Sequence, residues 1–473
     1  MSLAERLASA PLVGLARRAL DGGGGAWIAG GAVRDAALGR EVVDLDLAVA
    51  GDPAAAARAI AREGGGHSFE LSAEFGTWRA VGAGGAWQID VTALRGETIE
   101  ADLAERDFTI GAVAVALAGG EPLDPHGGLA DLDRRLLRVV GEHSFAGDPL
   151  RLLRAARLAA GLALEIDPGT AALARSQAAR AAESAGERQL VDLRQLVGGP
   201  DPLRGMALLD QLGLTPVVLP ELDALHGVEQ GPNHHLDVHG HTLAVLERTL
   251  EVEADLERFA GERAEETRAL LDEPLADEMT RGTALRFGAL LHDIGKPATR
   301  SEKDGYVTFI GHDRDGVEIV GGLCERMRAS RGLTRHLQGL TLHHLRLGFL
   351  VHEAPLPLRR VHGYLRATEP VGADVTLLTV ADRLSARGSG PFATEEAIEA
   401  HLALARQMLA AALDWRRDGP PKPLLRGDEL AAELDLAAGP EVGELLAELE
   451  AAQYAGEIST RAEAVERARA LRG

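Results

Sequence analysis

From Val43 to Val49 two kinds of side chain alternate: Leu45, Leu47 and Val49 fall on one parity, Asp44, Asp46 and Ala48 on the other. A period of two is that of a β-strand, so one face enters a core and the other presents two carboxylates side by side. The chain must therefore build a sheet with one dry face and one acidic face. Magnesium prefers carboxylate oxygens together with phosphate. Two such ions about 3.5–4 Å apart can stabilise both an attacking hydroxyl and a departing pyrophosphate. Taken alone, Asp-x-Asp more often marks a solvated strand edge.

The segment just upstream changes that balance. Ala26 to Ala29 reads as an apolar strand, Gly30-Gly31 as a turn, and Val33 to Leu38 as the first turns of a helix. Glycines between a strand and a helix start let backbone N–H groups approach an anion, and Arg34 adds a positive fork beside them. Trp87 to Val91 alternates as well, which places a third carboxylate, Asp90, either beside the first two or at a strand end.

Further motifs follow in order: Arg106-Asp107-Phe108-Thr109, then Leu123-Asp124-Pro125-His126-Gly127-Gly128, then Asp148-Pro149-Leu150-Arg151 running on to Arg154 and Arg157. Together with Gly30-Gly31-Ala32-Val33-Arg34-Asp35 and Asp44-Leu45-Asp46, this series resembles the class II RNA nucleotidyltransferases, the family of bacterial CCA-adding enzymes and their poly(A) polymerase relatives. The resemblance covers about the first 190 residues; Glu187-Arg188 to Asp192-Leu193 is similar to a further family segment. It implies an α/β nucleotidyltransferase head with a polymerase-beta-like mixed sheet, then an all-α neck. It also implies roles: Asp44 and Asp46 hold Mg²⁺ with Asp90 as a third acid, Gly30, Gly31 and Arg34 meet the triphosphate, and Arg106 and Asp107 face sugar and phosphates. Asp148 and Arg151 would hydrogen-bond the edge of the incoming base, with Arg154 and Arg157 continuing the nucleotide-binding helix.

The base-reading role also makes chemical sense. A carboxylate accepts from an exocyclic amine while a guanidinium donates to a ring nitrogen or carbonyl, so a pair three residues apart on one helical face can read cytosine or adenine. Asp148-Pro149 equally suits an N-cap followed by proline at the first helical position. Three positions depart from the family pattern: Glu105 stands for an arginine, Gly111 for an asparagine and Gly147 for an acid. These departures bear on nucleotide selectivity and leave the acidic strand untouched.

A second constellation lies in the middle of the chain. His241, His292-Asp293, His312, His343-His344 and Asp382 occur in the order of the HD phosphohydrolase superfamily, which they resemble. Histidine nitrogen and carboxylate oxygen suit a divalent metal, whose bound water becomes a nucleophile for phosphoesters. His241, His292, Asp293 and Asp382 are expected at the core of the site. His312 and one of His343 and His344 complete a second position, with His343 the expected ligand; adjacent histidines cannot point the same way on a helix. His234, His235 and His239 read as caps or surface groups. A module that grips RNA or assembles dimers without turnover is the alternative.

The 473 residues suffice for several domains, and 46% apolar content is ample for cores. The pattern divides into a head at 1–145, a helical neck at 146–225, an all-α HD domain at 226–395 and a helical C-terminal region at 396–473. The acidic stretch from Glu251 to Met279 reads as a solvated helical excursion. A single cysteine, Cys324, and the lack of a leader-like or membrane-spanning apolar run give the expectation of a cytoplasmic protein with no membrane partner. Net charge of −22 argues against wholesale nucleic-acid binding. Arg134, Arg135, Arg138, Arg151, Arg154 and Arg157 could still form a confined track for RNA phosphates.

The expected function is template-independent addition or repair of the 3′-terminal CCA of tRNA from CTP and ATP, with phosphohydrolase activity in the HD domain and a homodimer allowed. A poly(A) polymerase is the nearest alternative, although the arginine-rich stretch usual there is absent from Gly66 to Leu71. Addition of only CC or only A is another. From a different class comes an HD phosphohydrolase whose degenerate head merely binds RNA.

Overall fold

The computed structural model describes residues 2–21, 25–72, 76–303, 305–437 and 439–472. The chain forms two compact units, Met1–Val218 and Leu219–Gly473. In the first, six strands build one mixed sheet: β1 (Ala26–Ala29), β2 (Asp44–Val49), β3 (His67–Ser72), β4 (Thr77–Val81), β5 (Gln88–Ala93) and β6 (Ala114–Ala116), in the order β3-β4-β5-β2-β1-β6. β2 and β5 run parallel and every other neighbouring pair is antiparallel.

The period-two pattern decides what each face does. Leu45, Leu47, Ile89 and Val91 are 0–1% exposed and join the Pro53–Glu63 helix, through Ala57 and Ile60, in the main core. Asp44, Asp46, Gln88 and Asp90 occupy the alternate positions and face the other way. Asp52 caps that helix by accepting from Ala54 N–H, and Pro53 follows at its first position. The neck follows in the same unit. Its helices include Arg151–Leu162, Gly186–Val197 and Pro202–Gln211, and Arg157 bonds Asp192 across the first two. A parallel bridge of Leu136–Leu137 with Glu165–Ile166 interrupts the expected all-helical run.

The second unit is helical. Val238–Ala254, Arg281–Leu291, Arg331–His343 and Gly372–Ser385 pack through fully buried Val245, Leu246, Leu285, Leu340 and Leu378. A buried ion pair, Arg281 with Asp374, lies among them. The acidic stretch is helical to Asp272, with its apolar positions Leu256, Leu270 and Leu271 buried together with Phe259, and it ends in a hairpin of Pro274–Ala276 with Met279–Thr280. The long helix Glu395–Asp418 stops before Pro420, and three shorter helices from Gly427 onward close around their own apolar cluster. Among the described residues no helix is long and apolar enough to cross a membrane.

Candidate functional site

The acidic face of the sheet collects three carboxylates. Asp46 pairs in register with Asp90 across β2 and β5, and Asp44 stands opposite Gln88, whose amide donates to Asp44 Oδ1 at 2.8 Å. Arg79 holds Asp90 with two hydrogen bonds at 2.7 and 2.8 Å. Asp46 is reached by solvent from the cleft but is closely walled by protein. That desolvation, with the charges of Asp90 and Asp44, raises its pKa, while Arg106 and the Gly31 N–H pull the other way. Crowded carboxylates of this kind fit a divalent cation, whose charge would relieve the repulsion.

Gly30 closes the other side. Its φ of +74° opens the turn into the Gly31–Ala37 helix, and a Cβ there would come within 2.9 Å of Arg106 Nη1 and 3.3 Å of Asp46 Oδ2. Arg106 is held by Asp102 at 2.9 Å, and Arg34 by its neighbour Asp35 at 2.9 Å. Gly30, Gly31, Arg34, Asp46 and Arg106 line a hollow of about 290 Å³. Asp46 and Arg106 also border a larger cleft of about 870 Å³ that reaches Asp148, Arg151 and Arg188.

The base-reading pair differs in detail from the sequence expectation. Asp148 precedes the Arg151–Leu162 helix, in an extended conformation, and accepts from Leu150 N–H at 3.2 Å. The two meet through the turn that enters the helix instead of lying on one helical face. Arg188 bonds Asp148 at 3.2 and 2.8 Å, a partner that sequence reading left unassigned. Arg151 donates to the carbonyls of Ser144 and Glu105 at 3.1 and 2.7 Å, which fixes its guanidinium at the cleft.

The arginine track is largely spent within the protein. Arg154 bonds Asp107 at 3.1 Å, Arg157 bonds Asp192, and Arg138 bonds Asp131 at 3.3 Å. Burial alone would raise the Asp107 pKa, but Arg154, the Phe108 N–H and Arg151 outweigh it and hold Asp107 ionised. Arg134 and Arg135 are exposed.

In the second unit the carboxylate of Asp293 divides two groups. Its Oδ2 lies 3.1 Å from His292 Nε2, 3.7 Å from His241 Nε2 and 2.6 Å from Lys296 Nζ. Its Oδ1 lies 3.2 Å from His312 Nε2 and 3.6 Å from His344 Nε2. Asp382 Oδ1 completes the first group, 3.0 Å from His241 Nε2. The Nδ1 atoms of His292, His312 and His344 bond the carbonyls of Ala289, Phe309 and Thr341 at 2.9, 2.7 and 2.6 Å. Nδ1–H is the donor in each, which leaves the Nε2 lone pairs aimed at the centre. His312 and His344 Nε2 are 3.2 Å apart, both buried. Lone pairs and carboxylate oxygens converging in a dry site fit a divalent cation.

Of the adjacent pair, the structure brings His344 and not His343 to Asp293 and His312. His343 is half-buried outside this cluster, with burial pushing its pKa down to about 4, and His344 takes the place the sequence reading gave His343. His234 was read as a surface group, yet its ring packs on His241 at 4.5 Å between centroids. Lys296 reaches Asp293 from three residues further along the chain, whereas His234 is brought to the cluster by chain folding alone.

The comparisons agree with this geometry. The family model for the poly A polymerase head domain matches residues 26–138, the probable RNA and SrmB-binding site of polymerase A matches 163–225, and the HD domain matches 238–387. An A-adding tRNA nucleotidyltransferase of Deinococcus radiodurans is 37% identical, over 93% of this chain and 94% of its own length. The chain belongs to the tRNA nucleotidyltransferase family. Within the family it is also 35% identical to a CC-adding tRNA nucleotidyltransferase of Thermus thermophilus, over 93% of this chain and 92% of that one. Among solved structures, the Thermotoga maritima CCA-adding enzyme complexed with tRNA shares the fold, with TM-score 0.61 and 20% identity over 100% and 99% of the two chains. This member of the tRNA nucleotidyltransferase family thus joins a nucleotidyltransferase head, an RNA-binding segment and an HD domain in one polypeptide.

Proposed function

We propose that this chain adds or repairs the 3′-terminal CCA of tRNA, without a nucleic-acid template, from CTP and ATP in the cytoplasm. The observation that carries the reading is the Asp44–Asp46–Asp90 face of the sheet, whose Asp46 lines one hollow with Gly30 and Arg106 and a larger cleft with Arg106, Asp148 and Arg151. Asp44 and Asp46 would hold divalent ions, Mg²⁺ in this reading, which supply charge neutralisation to the triphosphate. Gly30 and Gly31 let the triphosphate approach the backbone, and Arg34 and Arg106 stabilise its charge. The RNA 3′ hydroxyl gives up its proton to solvent as its oxygen bonds the α-phosphorus, the α–β bridging P–O bond breaks, and pyrophosphate leaves with the electron pair. Asp148 accepts from the exocyclic amine of cytosine or adenine while Arg151 donates to the ring, with Arg188 keeping Asp148 in place. The division at residues 145, 225 and 395 into head, neck, HD domain and C-terminal region belongs to this reading.

The HD unit hydrolyses phosphoesters at RNA ends. His241, His292, Asp293 and Asp382, with His312 and His344, would hold the divalent ions that supply an acidified water. Hydrolysis there would join a water oxygen to phosphorus and break the ester P–O bond, with the proton that the water loses passing to the departing oxygen. His292 and Lys296 outweigh burial and hold Asp293 ionised, and Lys296 fixes it at 2.6 Å.

Labelled CTP and ATP offered to tRNA truncated before its CCA test the head. Incorporation of C, C and A followed by a stop supports the reading, and unlimited A contradicts it. Likeness to the A-adding relative favours one second reading, in which only tRNA already ending in CC is extended.

A further inference from the structure

Beside the histidine cluster opens a cleft of about 480 Å³, within the range of roughly 300–1,000 Å³ usual for small-molecule sites. Its walls differ in character. His312 joins it to the cluster, and Lys296 and His234 give it a polar side. Lys296 is anchored there by Gln230 Oε1 at 2.6 Å as well as by Asp293. The other side is apolar and open: Ile310 is 80% exposed and Phe349 71% exposed.

Both exposed side chains line the same cleft, Ile310 on the segment that leads into His312 and Phe349 on a separate stretch of chain. Phe349 belongs to the short helix Arg346–Leu350, whose Leu347 is fully buried. Leu347 ties the helix down while Phe349 is delivered to the cleft. Ile310 follows Phe309, whose carbonyl accepts from His312 Nδ1, so its position is tied to the cluster itself. Exposed apolar groups beside convergent polar ones mark a ligand site. An aromatic face next to a phosphoester centre suits a nucleobase, which stacks with little regard to its identity.

We propose that Phe349 and Ile310 are the base platform of the HD site, which takes the terminal nucleotide of an RNA carrying a phosphoester and does not read which base it is. The proposal rests on the reading of the HD unit as a hydrolase.

The test uses the full chain with a divalent metal and three substrates: a short RNA ending in a 2′,3′-cyclic phosphate, adenosine 2′,3′-cyclic phosphate, and the base-free ribose analogue. The platform predicts hydrolysis in that order of preference, with similar rates for all four terminal bases. Phe349→Ala lowers the preference for RNA over the base-free analogue about tenfold, through KM, and Phe349→Trp restores it. A second readout is the fluorescence of an RNA whose last base is 2-aminopurine, quenched on binding wild type and less so with Phe349→Ala or Ile310→Ser. If no substrate is hydrolysed but Phe349-dependent quenching remains, the hydrolase reading fails and the platform stands. Equal loss on all three substrates with unchanged quenching overturns the platform. So does a change of oligomeric state in Phe349→Ala with quenching intact, which would make the patch a protein contact.

Discussion

Asp46 on β2 and Asp90 on β5 stand opposite each other in a parallel register, and Arg79 neutralises only the second of them directly. Asp46 is left with a raised pKa, so the folded protein holds its proton more tightly than the unfolded chain does. Stability therefore falls as pH rises from the ordinary carboxylate value through the raised one, and stays lower above that window. Asp46→Asn should raise the melting temperature of the metal-free protein at pH 7. Saturating Mg²⁺ should stabilise wild type more than this variant. Identical Mg²⁺ responses in calorimetry would remove the ion from this carboxylate.

Gly30→Ala tests the close approach in the cleft. The new Cβ needs a left-handed backbone and meets Arg106 at 2.9 Å. We expect a cost of about 1–2 kcal/mol in chemical denaturation and a loss of about 100-fold in nucleotide transfer. Retained activity would show that the turn tolerates a side chain and is not shaped for the triphosphate.

Arg188→Ala separates positioning from catalysis. The ion pair with Asp148 is partly open to solvent, so the stability change should stay below about 1 kcal/mol. The ratio of C to A incorporation should shift about tenfold, because Asp148 loses the partner that orients it. An unchanged ratio with lower overall rate would make Arg188 a purely structural contact.

The adjacent histidines of the HD unit give a paired test. His344→Ala should weaken divalent-metal binding at least tenfold in titration calorimetry, since Nε2 there faces Asp293 and His312. His343→Ala should bind metal like wild type. The opposite result would restore His343 as the ligand.

The acids of β2 were legible because a period of two forces Asp44 and Asp46 onto one face once Leu45 and Leu47 are buried. Asp90 was legible as a strand residue, but its register against Asp46 follows from sheet order, which local pattern does not encode. Helical spacing could not choose between His343 and His344; the choice depends on which side of the Arg331–His343 helix end packs toward Asp293. The arginine series misled for a related reason. Asp107, Asp131 and Asp192, its partners, lie up to 47 residues away and meet it only in the fold. Arg188 and His234 were missed because their roles come from tertiary neighbours, while Lys296 has a local partner in Asp293 that no motif singled out.

The central claim is that Asp46 binds the ions that serve nucleotide transfer. Incorporation of labelled CTP and ATP into tRNA lacking its 3′ end, compared between wild type and Asp46→Asn, tests it most directly, with phosphoester hydrolysis by the HD unit measured on the same samples. The account predicts transfer reduced by at least about 1,000-fold, roughly 4 kcal/mol of barrier, with hydrolysis unchanged. Equal incorporation by the two proteins would contradict it.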